Sequence, residues 1–486
     1  MPAILSPSAC PAGSDKTARP AGPARAPSHT LRFLCSFSDG RIADLLAEKA
    51  SLHYYDTMRR RVLVHDLSKG MYVLELDRPW VGTPFLFQGF QIRSDREMEQ
   101  LRALCAFVYV GAEPEQPPAV RTRESANQAP SPQAAVASSG GIEALLPPQS
   151  DLGDTDAAAG HPSTVALEHE LGAARELDTA TRALVYTIMD DVRMGRTLDS
   201  ARTRGLMTEL VGSVMRNPDA LTWMTQLKSR DEYTALHSLR VSILALTFGH
   251  HLELPRSELE MLGTGALLHD LGKLRVPDAI LNKPDRLTPE EYEIMKTHVP
   301  QGVRLLEATP GIPAAALDVA RSHHERYRGQ GYINGVTGDR IGLFGMIGAI
   351  VDTYDAITSD RVYRSGVSGA DALRKIYDAR GQEFHAGLVE RFIQSMGVYP
   401  VGSLVELSTG EVGVVLTVNR TRHLRPRISV VLDPHKQKYS QPLALDLYQG
   451  SASFISIARV LPAGAYGINS ADHIPGATAA PQPVVR

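Results

Sequence analysis

Cysteine is scarce: Cys10, Cys35 and Cys105 are the only three in 486 residues, and no two stand at C-x-x-C spacing. Neither a disulfide scaffold nor a thiolate zinc site is supported, and a reducing, cytoplasmic compartment fits. Charge of one sign is lacking too, since 51 Lys and Arg against 54 Asp and Glu leave a formal net charge of -3. So even a balance gives no field to gather a nucleic-acid polymer or an anionic membrane, although a local basic cleft can still hold a small anion. Long apolar runs are absent. The longest near the centre, Gly342–Val351, is about half a membrane span and ends at Asp352, so no transmembrane helix is expected. The N-terminus shows no charged region followed by an apolar core and cleavage site, which argues against secretion.

What is present divides by composition, and a chain of 486 residues predicts several domains. Residues 1–57 are rich in Pro, Ala and Ser and read as a disordered or non-native extension, with Met58 a candidate native start. Residues 58–112 alternate strand-like runs (VLVHDL, MYVLELD, FLFQGFQI, FVYV) with a helical DREMEQLRALC, the pattern of a small α/β domain. Residues 113–164 are a flexible linker by their Pro, Gln, Ser and Gly content. From 165 to 398 apolar residues recur at three and four positions, which predicts an all-α core. Short β-patterned runs at 399–466 predict a small β appendage, and 467–486 read as a flexible tail. The fold class expected is therefore mainly α, a helical bundle with a small domain on either side.

One constellation carries chemistry. His237, His269, Asp270, His298, His323, His324 and Asp352 fall within the helical region, each in or at the end of an apolar helical run, as groups aimed into a bundle core must. Imidazoles mixed with carboxylates suit borderline transition metals, and a set this large can hold two of them, a centre that generates hydroxide for phosphate esters. Singly each residue is weak. A lone His237 or His298 is more often a satisfied histidine than a ligand, His323–His324 alone could be a pH-sensitive patch, and Asp352 a solvated carboxylate. His269–Asp270 gains weight from context, because the buried stretch MLGTGALL ends by presenting a histidine, a carboxylate and Lys273 together. Composition and spacing stop at a metal-dependent hydrolase.

The ordered segments HSLRV, LLHDLGK, THVPQG, SHHERYRGQGY and IVDTYDAITSDRVYR, over roughly residues 170–400, resemble the HD-GYP family of bacterial phosphodiesterases, a branch of the HD phosphohydrolases. The resemblance implies an HD-type helical bundle with a di-metal centre, usually iron or manganese. It also implies hydrolysis of cyclic di-GMP to pGpG, sometimes onward to GMP, by a metal-bridging hydroxide. Residue by residue it makes His237, His269, Asp270, His298, His323, His324 and Asp352 the metal ligands, with Asp270 the bridging carboxylate. Lys273 matches the lysine on the scissile phosphate; Tyr332, Arg361 and Arg364 match groups that contact the nucleotide. A glutamate that brings a third metal in some members is here Tyr233, so two metals are expected.

Two positions depart from the pattern. Ile333 stands where the family has proline and Arg328 where it has an acidic residue, so the substrate loop is expected to be less rigid and more positive. Two alternatives stay open beside turnover: a cyclic di-GMP-binding signalling adaptor, and an HD hydrolase of another nucleotide. Residues 58–112 resemble the small domain of uncharacterised function that often precedes this core, read as a docking or homodimerisation module. Diguanylate cyclases are the kind of protein partner the resemblance implies.

Overall fold

The computed structural model describes residues 60–78, 80, 83–87, 89–111, 163–226, 233–359, 366–449, 452 and 454–474. The expected N-terminal extension, nearly all of the linker, Arg361, Arg364 and the end of the expected tail lie outside the described residues.

Alternating burial builds the first unit. Strands β1 (Arg60–Leu63), β2 (Tyr72–Leu76), β3 (Phe90–Gln91) and β4 (Phe107–Gly111) form one sheet in the order β1-β4-β2-β3. Helix α1 (Asp95–Leu104) starts at Ser94, whose side chain accepts from the Glu97 amide while Glu97 reaches back to the Ser94 amide, a capping box that fixes where the helix begins. Val73, Ile92, Leu101 and Val108 are fully buried between sheet and helix.

The helical core follows from periodicity. Helix α2 (Leu167–Arg193) buries Leu167, Leu171, Ala174, Leu184 and Ile188 on one stripe. It packs with α3 (Ser200–Arg216), α4 (Pro218–Met224) and α5 (Tyr233–His251). Residues 236–249 of α5 are buried all round, as a central helix requires. Beyond it come α6 (Arg256–Leu268), α7 (Asp278–Leu281), α8 (Pro289–Lys296), α9 (His298–Glu307), α10 (Leu317–Ser322), α11 (Leu343–Thr358), α12 (Gly369–Asp378) and α13 (Ala386–Met396). Helix α11 is buried from Phe344 to Asp352 and packs on α5, so these two place polar side chains in the middle of the bundle.

Strands β5 (Leu404–Leu407), β6 (Val412–Thr417), β7 (Arg427–Leu432), β8 (Lys438–Asp446) and β9 (Ile457–Val460) form an antiparallel sheet in the order β8-β7-β6-β5-β9. Strand β8 is mostly exposed and carries Pro442, tolerable on an edge, which is why its sequence lacks a clean alternating signal. This sheet is welded to the helices. Leu404, Val412 and Val414 share one core with Leu184 and Trp223, and Trp223 Nε1 donates to the Leu416 carbonyl at 2.8 Å. Nor does the chain fray at 467: Ile468 and Ile474 are buried in that same core, which holds the segment down through Ile474.

Candidate metal centre

Each donor is delivered by a helix or a helix end. His237 lies on α5 and Asp352 on α11, His269 directly follows α6, His298 opens α9, and His323 follows α10. The turn Leu271–Arg275 presses against α9 so closely that a Cβ on Gly272 would sit 1.8 Å from the His298 carbonyl oxygen. Only glycine permits that approach, and any side chain would drive His298 out of the site.

The structure brings all seven proposed ligands together around Asp270. Its Oδ2 lies 3.3 Å from His269 Nε2 and 3.5 Å from His237 Nε2, while Oδ1 lies 3.5 Å from His298 Nε2 and 3.7 Å from His323 Nε2. Two donor groups result, His237–His269–Asp270 and Asp270–His298–His323–His324, with the donor atoms of each within 4.8 Å of one another. Asp352 Oδ1 flanks the first group, 3.1 Å from His237 Nε2 and 3.9 Å from His269 Nε2. His269, Asp270, His298 and His323 are each at most 3% exposed.

The imidazoles are pre-oriented. His269 Nδ1 sits 2.7 Å from the Ala266 carbonyl, His298 Nδ1 2.7 Å from Met295, and His323 Nδ1 3.0 Å from Val319. An Nδ1–H donated to each carbonyl leaves the Nε2 lone pair facing Asp270, the arrangement that fixes a ligand's tautomer. His269 Nε2 and Asp270 Oδ1 are buried and accept no hydrogen bond from the described residues. Two orphaned acceptors in a closed core are costly unless something electropositive lies between them, so this donor set fits a metal.

Electrostatics point the same way. Burial alone would raise the Asp270 pKa, but the Lys273 ammonium and the surrounding imidazoles, His237 among them, hold it well below the usual carboxylate range. Burial, aided by His324 and His269, drives His323 well below its ordinary value, and burial takes His324 down to about 3. These imidazoles stay neutral, as ligands must. His237 is opposite: burial lowers it, but Asp270, Asp352 and Asp355 together raise it well above the ordinary value.

Asp355, Arg240 and Ser359 escaped the sequence reading. Asp355 Oδ2 is 2.7 Å from His237 Nδ1, and Arg240 grips that carboxylate with Nε at 2.6 Å and Nη2 at 3.1 Å, Nη2 also reaching Ser359 Oγ at 3.1 Å. All three are buried. A signal existed: Asp355 lies one turn beyond Asp352 and Arg240 one turn beyond His237, on helices already expected to carry ligands.

Lys273 Nζ is 2.5 Å from Asp270 Oδ2 and about a quarter exposed, at the edge of the cluster. The Tyr332 ring stacks on His324, 4.5 Å between centroids and 26° between planes. Glu325, 1% exposed, holds the loop below it, accepting from the Asn334 amide at 2.8 Å and the Val336 amide at 3.1 Å. Of the two departures, Ile333 is exposed, and Arg328 donates from Nε to the Gly381 carbonyl at 2.9 Å.

Comparison with known proteins places this geometry. Models of an HD domain match residues 218–387, of a domain of unknown function (DUF3391) residues 59–203, and of a KOW domain associated with the HD domain residues 404–461. A cyclic di-GMP phosphodiesterase of Pseudomonas aeruginosa is 36% identical over 375 residues, covering 77% of this chain and 85% of that protein. The chain belongs to the HD-GYP family of phosphodiesterases. Within that family, a 3′3′-cGAMP-specific phosphodiesterase of Vibrio cholerae is 33% identical over 169 residues, 35% of this chain and 32% of the relative. A cyclic di-GMP phosphodiesterase of Thermotoga maritima is 36% identical over 166 residues, 34% of this chain and 45% of the relative. The match at 59–203 includes both the unit expected at 58–112 and α2. No helix among the described residues is long and apolar enough to cross a membrane.

Proposed function

We propose that this HD-GYP chain hydrolyses cyclic di-GMP to pGpG at a centre of two divalent transition-metal ions, iron or manganese. The observation that carries it is the division of Asp270, one oxygen toward His237 and His269 and the other toward His298 and His323. His237, His269 and Asp352 would hold one ion and His298, His323 and His324 the other, with Asp270 shared. When bound, such ions lower the pKa of water from about 15.7 toward 7 and neutralise charge on the phosphoryl oxygens.

The chain's own groups do the rest. Water attacks phosphorus in line, and the bond to the ribose 3′-oxygen breaks. Lys273, beside Asp270 yet reaching the surface, supplies a cation to a non-bridging phosphate oxygen as charge builds there. Tyr332, lying over His324, closes the cluster on one side and offers a ring face to a base. Arg361 and Arg364 are assigned to guanine O6 and N7 or to phosphate.

The relative specific for 3′3′-cGAMP makes that dinucleotide the competing substrate. The test is anaerobic purification with metal analysis, then incubation of manganese- or iron-loaded protein with each cyclic dinucleotide and chromatography of products. Formation of pGpG at two metals per chain is expected. Two metals with cyclic di-GMP bound but intact would overturn turnover in favour of an adaptor.

A further inference from the structure

The N-terminal unit is joined to the catalytic bundle through buried polar contacts, and these lead to the loop that carries Tyr332. Glu97, 6% exposed, uses Oε2 for its own helix cap and Oε1 for the bundle, accepting from Arg380 Nη2 at 2.7 Å and from the Tyr377 hydroxyl at 3.1 Å. The Arg380 guanidinium lies 3.6 Å above the Tyr377 ring. Around this pair, Arg93 donates to the Asp378 carbonyl at 2.7 Å, Arg374 donates to the Tyr72 hydroxyl at 2.5 Å, and Phe87 inserts into the bundle core against Tyr377.

Directly after Arg380 the chain serves a second purpose. The carbonyls of Gly381, Gln382 and Glu383 accept from Arg328 Nε at 2.9 Å, the Arg328 amide at 3.1 Å and the Tyr327 amide at 2.8 Å. Tyr327 in turn accepts from the Gly338 amide at 2.8 Å, closing the base of the loop, and the Tyr332 amide donates to the His324 carbonyl at 3.1 Å. The residues that anchor the N-terminal unit and those that anchor the loop are thus neighbours on one short segment, 380–383.

We infer that Glu97 and Arg380 are positioning residues: the docked N-terminal unit fixes segment 380–383, and that segment fixes the Tyr332 loop over the metal cluster. Arg328, out of pattern for the family, is the side chain that makes the second joint. The inference deepens the proposed function, since it concerns the loop assigned there to the nucleotide. Its structural arm is read without turnover.

The experiment compares wild-type full chain with Arg380→Gln, Glu97→Gln and the double variant, all manganese-loaded. Glutamine at 97 preserves the helix cap while removing the charge that holds Arg380. Amide hydrogen exchange is followed at residues 93–104 and 326–338, metal content is measured, and KM and kcat are determined with cyclic di-GMP. Each single variant should speed exchange at 326–338 and raise KM by about fivefold, with metal content and kcat within about twofold, and the double variant should be no worse than either. Unchanged exchange at 326–338 in both single variants would overturn the inference, leaving the N-terminal unit as a docked neighbour only. Should Arg380→Gln fail to fold, Tyr72→Phe removes the hydroxyl held by Arg374 and reads the same joint. A chain that turns over no cyclic di-GMP sinks the proposed function, while the exchange result still decides the coupling.

Discussion

The metal cluster and the Tyr332 loop lie in contact, yet they are held by different means. Around Asp270 the donors His237, His269, His298 and His323 stand on or beside helices, are buried, and have their ring orientation set by a local carbonyl or by Asp355. The loop has no helix of its own; it hangs from Glu325, from the contacts of Tyr327 and Arg328 with the carbonyls of 381–383, and from the stacking of Tyr332 on His324. The cluster is thus built to keep its own geometry, whereas the loop takes much of its geometry from elsewhere in the molecule.

The strongest way to break this contrast is at the cluster. His269→Ala with Asp270→Ala should abolish metal retention and lower turnover by at least about a thousandfold while far-ultraviolet dichroism stays helical. Retained hydrolysis would dismiss the site. Next comes Asp355→Asn, which keeps the shape but weakens the hold on His237; metal affinity should drop by about 10- to 100-fold, measured by competition with a chelating dye. An unchanged affinity would reduce Asp355 to a packing role. Tyr332→Ala tests the other region and should raise KM by about tenfold with metal content intact, since a stacked ring contributes on the order of 1 kcal/mol. Loss of metal in that variant would erase the distinction between cluster and loop.

The smallest effect concerns pH. Without metal, His237 has a raised pKa and must release a proton to bind, whereas His323 and His324 are already neutral, His324 down to about 3. Affinity at the His237 half should therefore rise with pH up to its raised pKa, by up to about tenfold per unit, while the His298–His323–His324 half stays flat near neutrality. Calorimetric titrations between about pH 6 and 8 would show two sites with different slopes. Equal slopes would count against the two-group arrangement.

Much of this was legible in the residues. Apolar spacing marked the bundle because helical burial is a local, periodic property, and the strand-like runs of the N-terminal unit marked its sheet in the same way. Edge strand β8 carried no such mark, since an exposed strand with Pro442 has no alternation to show. Ile468 and Ile474 lie in a Gly- and Ala-rich stretch whose composition suggested fraying, and only the core waiting beneath them holds it.

Residue types along the chain were enough to propose the donor set, because coordination depends on side-chain chemistry and His237, His269, Asp270, His298, His323, His324 and Asp352 are metal-type groups in or at the ends of apolar helical runs. Gly272 stands in the same stretch, and its missing side chain admits α9. Tertiary structure alone decided which oxygen of Asp270 faces which histidines, that Asp355 and Arg240 would brace His237, and that Glu97 would meet Arg380. Those pairings join residues far apart in the chain, and only the packing of one element on another sets the distance between them.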